Sequence, residues 1–199
     1  MIPMQAHAVG IGARAGTLGI GMEISQPLAK KVSARFGLNN FNYTFAGTES
    51  DIDYDLELKL STVAALVDWH PMGGGFRLST GVYINGTQVD IRATNQDSYN
   101  IGNDTYNGTI NLKGELSFIP IAPYFGLGWG VRPSKKNGWN MTAEIGLLYQ
   151  GTPNVRLSAN GLATRAGDSV ALQVSQDPVF LENLAAEEAN LKKEIDSYN

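Results

Sequence analysis

The sequence predicts an all-β protein: an antiparallel, up-and-down transmembrane β-barrel of eight strands with one helix in its final loop. Two patterns along the 199 residues indicate this class. Apolar and polar residues alternate at every second position over long segments, and short turns alternate with long polar loops. No stretch approaches the roughly 18 consecutive apolar residues that a membrane helix needs. Alternating strands, by contrast, can cross a bilayer while each segment remains averagely polar.

The alternation is clearest in four segments: 32–39, 56–66, 76–85 and 139–150. Each places mainly apolar side chains on one face and polar or small ones on the other. Between Leu56 and Leu66 the apolar residues occupy the even positions, which predicts that this row faces lipid.

The phase of the alternation reverses at two places. Across Gly16 and Thr17 the reversal predicts a tight hairpin, and one bulged strand over 9–26 is the alternative interpretation. Between Ile119 and Pro123 it predicts a bulge, because proline has no N–H to donate to a regular ladder.

Together these patterns predict seven strands, at roughly 8–15, 18–28, 32–45, 54–69, 76–92, 109–131 and 139–157. Bacterial single-chain barrels have an even number of strands, because closure must pair every edge. We therefore expect an eighth strand that is missing from this chain.

The predicted organisation has three parts. Residues 1–8 form a signal-peptide remnant or a disordered start, because Ala6-His7-Ala8 has the form of an export cleavage site. Residues 9–157 form strands one to seven of the barrel. Residues 158–199 form the last loop, with an amphipathic helix at about 178–197. Asp177 is its expected N-cap, and its expected apolar stripe is Leu181, Leu184, Leu191, Ile195 and Tyr198.

All three tryptophans flank short turns. Trp129 and Trp139 lie on either side of one turn, and Trp69 precedes another. This placement predicts an interfacial aromatic girdle at one rim, although Trp69 falls on the polar phase of its strand.

Three segments carry a family resemblance: residues 10–16 (GIGARAG), 121–130 (IAPYFGLGWG) and 149–157 (YQGTPNVRL). In this order they resemble the CarO family, the carbapenem-associated outer-membrane proteins. The resemblance implies a small exported barrel in the outer membrane of a Gram-negative bacterium. It also implies a protein of the kind proposed to admit basic amino acids such as ornithine.

The alternation places nine charged side chains in the lumen, because a charged side chain facing lipid costs roughly 2 to 4 kcal/mol for Arg or Lys. Two interpretations remain open. The charges form an ion-pair network that fills and closes the narrow lumen of an eight-stranded barrel, or they line a gated polar path for small cationic or zwitterionic solutes. The nine residues are Arg14, Glu23, Arg35, Glu57, Lys59, Arg77, Lys113, Glu115 and Glu144.

An extracellular acidic loop is predicted from Glu49, Asp51, Asp53 and Asp55. It is expected to be solvated and to attract cations, but it lacks a complete calcium-ligand loop. We therefore expect no metal site, and nothing in the sequence indicates a cofactor.

Other functional classes are disfavoured by composition. The lysines and arginines are scattered along the chain and the net charge is -4, so nucleic acid is not an expected partner. The histidines are His7 and His70, and His70 lies at a short turn with no adjacent nucleophile, so we expect no enzyme. The sequence has no cysteine and hence no disulfide.

The leading functional interpretation is an outer-membrane barrel that forms a narrow channel for small solutes such as basic amino acids, with outer-membrane lipid around it. The alternative is a structural or surface-interaction barrel with an ion-paired, closed lumen. A soluble ligand-binding barrel ranks third, because it would expose more apolar surface than a soluble monomer tolerates.

Overall fold

The computed structural model describes residues 9–49, 52–95, 98–102, 104–130 and 141–197. In this part of the chain, twelve strands belong to one sheet and a single α-helix follows them. The chain divides into two compact units. Unit 1 comprises Met1–Phe41, Leu60–Thr87 and Ile119–Gly151, and unit 2 comprises Asn42–Lys59, Gln88–Phe118 and Thr152–Asn199.

The elements are β1 (Gly10–Gly16), β2 (Gly19–Ala29), β3 (Val32–Glu49), β4 (Ile52–Trp69), β5 (Phe76–Asn85), β6 (Gln88–Asn95), β7 (Ser98–Ile101), β8 (Asp104–Ser117), β9 (Ile121–Gly130), β10 (Thr142–Leu148), β11 (Asn154–Arg165), β12 (Leu172–Gln173) and α1 (Pro178–Ser197). No helix among the described residues is both long and apolar enough to cross a membrane.

In unit 1 the strands lie in the order β1-β2-β3-β4-β5-β9-β10. The hairpin predicted at the first phase reversal is confirmed, because β1 and β2 are antiparallel and Gly16 lies opposite Gly19. Gly19 has φ 98°, a left-handed conformation that suits glycine in a tight turn. Within the described residues, no backbone pairing joins β1 to β10, so each keeps one unpaired edge.

One face of the unit 1 sheet encloses an interior. Along β3, Ser33, Arg35 and Asn39 are buried, whereas Phe36 and Leu38 are exposed, as the alternation predicts. Arg35 on β3 contacts Glu144 on β10, although three other strands separate β3 from β10 in the sheet. The sheet must therefore roll up so that these two strands face each other.

The prediction that the even positions of β4 face lipid is wrong for Ala64 and Leu66. Both are buried, and they pack in an apolar cluster with Tyr83 and Ala122. The exposed residues of this segment are the odd ones, including Val67. The pattern misleads because β4 is apolar on both faces here, so alternation alone does not tell the interior from the exterior.

The predicted count of eight strands, seven of them in this chain, is not confirmed, because the described residues form twelve strands. Three predicted long strands are each interrupted and form two strands, but the halves continue along the same neighbours: β5 and β6 along β4, β9 and β8 along β5 and β6, and β10 and β11 along β9 and β8. The first break separates β5 from β6 at Gly86, whose N–H donates to the Ser61 carbonyl. β4 then pairs with β5 over Thr62–Trp69 and with β6 over Asp53–Lys59. The other breaks lie near Pro120, between β8 and β9, and near Pro153, between β10 and β11.

Unit 2 has its own core under helix α1. β6 pairs with β8, and β8 pairs with β11, which continues past the predicted end of the barrel strands at 157. The core contains Tyr106, Ile110 and Phe180. Tyr106 and Phe180 make an edge-to-face contact at 4.9 Å between ring centroids.

The helix begins as its cap predicts but buries a different stripe. Asp177 Oδ1 accepts a hydrogen bond from the Phe180 N–H at 2.8 Å. Leu184 of the predicted stripe is buried, together with Phe180, which the prediction did not include, whereas Leu181 and Leu191 of the predicted stripe are exposed. Glu188 reaches the sheet, where Oε2 accepts a hydrogen bond from the Leu157 N–H at 2.9 Å. Tyr198 lies outside the described residues.

Candidate functional site: an ion-pair cluster inside unit 1

Arg35 is the centre of a buried cluster of charged side chains. Its Nη2 donates to Glu144 Oε2 at 2.7 Å, to Asp68 Oδ1 at 3.0 Å and to Ser79 Oγ at 3.2 Å. Its Nη1 lies 3.5 Å from Glu23 Oε2. We call Glu23, Arg35, Asp68, Arg77, Ser79 and Glu144 the Arg35 cluster. Three carboxylates thus surround one guanidinium that is only 3% exposed as a residue.

Glu144 is the carboxylate with the most partners. Arg77 Nη2 donates to its Oε2 at 2.6 Å, in addition to the bond from Arg35. The Tyr124 hydroxyl donates to its Oε1 at 2.7 Å. Because Glu144 lies on β10, these bonds join an edge strand of the sheet to β3, β5 and β9.

Glycines make room for these long side chains. Gly128 lies between Arg77 and Glu144 in the paired strands, and a Cβ there would lie 2.6 Å from Arg77 Nε. Gly126 and Gly146 face each other beneath Tyr124, and a Cβ on either would clash with the tyrosine hydroxyl. The glycines of β9 therefore have a packing role.

A looser ion pair lies beside the Arg35 cluster. Arg14 Nη1 is 3.7 Å from Glu23 Oε2, and Arg14 Nη2 donates to the Tyr83 hydroxyl at 3.2 Å. The side chains of Arg14 and Glu23 are 21% and 20% exposed. Glu23 lies between Gly12 and Gly37 in the ladder, which leaves space around its carboxylate.

The charges in this interior cancel. Arg14, Arg35 and Arg77 face Glu23, Asp68 and Glu144. Buried charges are tolerated only when they are paired and hydrogen-bonded, because removing an ion from water costs several kcal/mol. The Ser79 hydroxyl, which donates to Asp68 Oδ1 at 2.6 Å, contributes to this pairing.

Two cavities adjoin the cluster. The larger, about 500 Å³, is lined by Arg14, Glu23, Asn39, Tyr83, Tyr124 and Glu144, with backbone from β1 and β10. The smaller, about 270 Å³, is lined by Ser33, Asp68, His70 and Met141 among others. Glu23, Arg35 and Arg77 line both cavities, so these side chains form the partition between the two.

The apolar cluster of unit 1 also borders the larger cavity. Ala64, Leu66, Tyr83 and Ala122 are its buried members, and Leu18 and Leu148 pack against it. Leu18, Tyr83 and Leu148 line the cavity as well. Polar and apolar surfaces therefore meet inside unit 1.

The nine charges predicted to form one lumen network fall into two clusters. Arg14, Glu23, Arg35, Arg77 and Glu144 come together in unit 1. Glu57, Lys59, Lys113 and Glu115 lie in unit 2 and form a separate set of contacts there. Sequence reasoning missed Asp68 and Ser79, although Ser79 lies on the predicted polar face. Asp68 was missed because it continues the apolar even phase of Leu66.

Asp90 is the centre of the unit 2 set, the Asp90 cluster (Glu57, Lys59, Asp90, Lys113, Glu115). Lys59 Nζ lies 2.7 Å from Asp90 Oδ2 and 3.1 Å from Glu57 Oε2. Lys113 Nζ lies 3.8 Å from Asp90 Oδ1 and 3.5 Å from Glu115 Oε2. Glu57, Asp90 and Glu115 are directly opposite one another on β4, β6 and β8, so each lysine relieves repulsion between two carboxylates.

This pairing shifts protonation in the Asp90 cluster. The hydrogen bond from Lys59 holds the pKa of the Asp90 carboxyl below its usual value, against the opposing effect of burial. The same bond raises the pKa of Lys59 above its usual value.

The described residues include only part of the remaining predicted sites. Of the acidic loop, Asp51 lies outside the described residues, Glu49 and Asp53 belong to the ends of β3 and β4, and Asp55 is exposed. Trp69 and Trp129 are each about half exposed, and Trp129 stacks on Phe76 at 5.4 Å in a tilted arrangement. Trp139 and His7 lie outside the described residues. His70 is buried at the turn after β4, where its backbone N–H donates a hydrogen bond to the Lys31 carbonyl.

No group of three or more histidine, aspartate or glutamate side chains in the described ranges is arranged to hold a metal ion. The Arg35 cluster has cations within hydrogen-bond distance of each carboxylate, so it offers no vacant set of oxygen ligands.

The outer face of unit 1 is a continuous apolar surface. All seven strands contribute large side chains that are more than a third exposed, which is far more than a soluble monomer normally shows. They are Ile11, Ile20, Met22, Ile24, Phe36, Leu38, Val63, Val67, Trp69, Val82, Ile84, Ile121, Phe125, Trp129, Ile145 and Leu147.

A rolled antiparallel sheet with an apolar exterior and a charged interior defines the class of small membrane β-barrels. The particular fold is that of CarO. The structure is similar to Acinetobacter baumannii CarO, with a TM-score of 0.53 and 23% identity over 92% of this chain and 88% of that one. It is also similar to Acinetobacter baumannii CarO2, with a TM-score of 0.56 and 21% identity over 94% and 91% of the two chains. No protein-family model and no curated protein sequence matches the chain.

Proposed function

We propose that the protein is a bacterial outer-membrane β-barrel in which unit 1 crosses the bilayer. The apolar outer face of unit 1 carries this proposal, because lipid is the environment in which such a surface is stable. Trp69 and Trp129 would lie at the interface between hydrocarbon and headgroups, where indole rings concentrate.

Unit 2 fits an environment outside the hydrocarbon. The Asp90 cluster leaves Lys59 and Lys113 more than a third exposed, and their ammonium groups would be costly to place in lipid. Helix α1 covers the apolar side of β8 and β11 and thereby gives unit 2 a core of the kind found in water-exposed domains.

An eighth strand would complete the barrel in unit 1. The seven strands from β1 to β10 are joined by six pairings. If all six are antiparallel, the first and last strands run in the same direction. One further strand could then pair antiparallel with the open edges of both, which is the even number that closed barrels require.

We propose that the lumen is a narrow path for small cationic or zwitterionic solutes, with basic amino acids as the expected class, and that the Arg35 cluster gates it. The support is the position of the cluster between two polar cavities, where a solute would have to exchange partners with paired side chains. Charges on such a path select solutes by sign and geometry rather than by size alone.

The test reconstitutes the full-length protein in planar bilayers and in liposomes. Single-channel current and liposome swelling with L-lysine are expected above the level of protein-free membranes. Asp68→Asn should increase conductance, because Arg35 then loses one of its three carboxylates. Barrels that fold, as judged by heat-modifiable mobility, but stay impermeable would contradict the path.

The second candidate is a structural or surface-interaction barrel with a closed lumen. The apolar cluster around Tyr83 and Leu66 favours it, because apolar constrictions exclude water and ions. Replacing Leu66 with serine distinguishes the two candidates. An open path should change its conductance, whereas a closed barrel should remain silent.

A further inference from the structure

The larger of the two cavities beside the Arg35 cluster, about 500 Å³, is lined by two charged side chains, Arg14 and Glu23, that make few close contacts with their neighbours. Arg14 has five N–H donors, and its one hydrogen bond to a side chain goes to Tyr83. Its contact with Glu23 is 3.7 Å, which is longer than a hydrogen bond. Arg14 Nη1 is buried and has no hydrogen-bond partner among the described residues, and the same is true of Arg35 Nε.

The other cations of the cavity are already engaged. Arg77 Nη2 and Arg35 Nη2 lie 2.6 and 2.7 Å from Glu144, and both side chains are less than a tenth exposed. Of the arginines that line the cavity in the described part of the chain, Arg14 is therefore the most exposed, at 21% of its side chain, and the most loosely held.

Glu23 is the matching anion. It is also 20% exposed, and its bond to Arg35 is 3.5 Å, compared with 2.7 Å for that of Glu144. The Arg14 guanidinium projects from β1 and the Glu23 carboxylate from the neighbouring strand β2. Arg14 lies opposite Gly21, and Glu23 lies opposite Gly12. A loosely held pair of opposite charges on one wall has the polarity to receive a zwitterion.

From this geometry we infer an α-amino acid binding station in the larger cavity, an inference that rests on the proposed solute path. Arg14 binds the α-carboxylate in place of Glu23, and Glu23 binds the α-ammonium in place of Arg14. The exchange conserves charge pairing, so neither group is left buried without a partner. Tyr83 and Tyr124 line the same cavity.

The absence of a side chain at Gly37 leaves room for the Arg14 guanidinium. A Cβ at Gly37 would lie 2.9 Å from Arg14 Nη1, a distance at which the guanidinium must move. This gives a variant, Gly37→Ala, that alters the station without removing a charge.

The test measures uptake into proteoliposomes of three solutes with the same carbon chain or nearly so: L-lysine, cadaverine, which lacks the carboxylate, and 6-aminohexanoate, which lacks the α-amino group. Arg14→Gln should lower uptake of L-lysine about tenfold and leave cadaverine within about twofold, because only lysine loses a charge-assisted bond. Glu23→Gln should instead remove the preference for L-lysine over 6-aminohexanoate.

Gly37→Ala should show the Arg14→Gln pattern in weaker form, and Arg165→Gln, at an exposed ion pair of unit 2, should behave as wild type. An unchanged ratio of lysine to cadaverine in folded Arg14→Gln overturns the station while leaving the solute path intact. Wild-type vesicles that admit none of the three solutes overturn the path itself, and the station with it.

Discussion

Glu144 connects more of the cluster than any other carboxylate, so its replacement has a large expected effect. Glu144→Gln leaves the Arg35 and Arg77 guanidiniums short of one negative charge in a buried site. We expect a loss of about 3 kcal/mol in the free energy of unfolding, as is typical when one partner of a buried ion pair is removed.

Urea unfolding in detergent or lipid measures this change. Glu182→Gln on the exposed side of α1 is the control and should lie within about 0.5 kcal/mol of wild type. Equal effects of the two substitutions would show that the Glu144 contacts contribute no stability.

Gly146 tests the packing of Tyr124. Gly146→Ala should destabilise the protein by about 1 to 3 kcal/mol, because the added methyl group clashes with the tyrosine hydroxyl. Tyr124→Phe removes that hydroxyl, so the double variant should recover part of the loss. A double-mutant cycle measures the recovery, and Gly16→Ala, where no atom lies within 4 Å of the new Cβ, is the control. Strictly additive effects would contradict the close packing.

At the level of single residues, the sequence predicts the burial of Arg35 and Arg77 well and that of Asp68 poorly. Both arginines lie on strands with one apolar and one polar face, so their orientation is unambiguous. Asp68 continues a run that includes Leu66, and only contact with Arg35 reveals that this side of β4 points inward. Such contacts depend on strands far apart in sequence.

The ion pair between Asp90 and Lys59 makes the free energy of unfolding of unit 2 depend on pH. Because the folded pKa of Asp90 is lower than its unfolded value, near 3.8, its contribution is complete above that value. It is lost as the pH falls through the lower folded pKa, where the carboxyl is protonated and the bond from Lys59 weakens.

Asp90→Asn should therefore flatten the pH dependence of unfolding below pH 4 while wild type continues to lose stability. Hydrogen exchange of the β6 and β8 amides, followed over an acid series, reports on this unit directly. Glu182→Gln removes a carboxylate elsewhere in unit 2 and should retain the wild-type slope. Parallel curves for Asp90→Asn and wild type would contradict the role of the Lys59 pair.

Single elements could be predicted where the signal is local. The Asp177-Pro178 start of α1 and the hairpin at Gly16 are encoded by cap and turn residues within a few positions. The division of 76–92 into β5 and β6 could not be predicted from alternation, since both pieces pair with β4 in one continuous register and only a short interruption at Gly86 and Thr87 separates them. The buried stripe of α1 likewise depends on Tyr106, which is distant in sequence.

For the whole molecule, the proposed location of unit 1 in the bilayer leads to a direct prediction. Phe125→Arg places a charge on the outer face of β9 and should cost roughly 2 to 4 kcal/mol of folding free energy in lipid vesicles. Leu191→Arg introduces the same charge at an exposed apolar site on α1 and should cost much less. Reversible denaturant titration in vesicles compares the two, and equal costs would contradict a membrane location for unit 1.

The overall class of the protein could be predicted from the sequence because every strand of unit 1 repeats the same period. The separation of the charges into two clusters could not be predicted from the sequence. The alternation predicts which face of a strand a side chain occupies. Which charged partners it meets depends on how the neighbouring strands pair along its length. β4 shows this, since it contributes Glu57 to one cluster and Asp68 to the other.

The equal numbers of arginines and carboxylates inside unit 1 have an electrical consequence. A neutral set of close pairs produces a dipolar field that fades within a few ångströms, whereas a ring of like charges would attract or repel ions from a distance. Recognition of a solute on the proposed path through this interior would therefore be local. Ionic strength, which weakens long-range attraction over a screening length of about 10 Å at 0.1 M, should have little influence on which molecules are discriminated there.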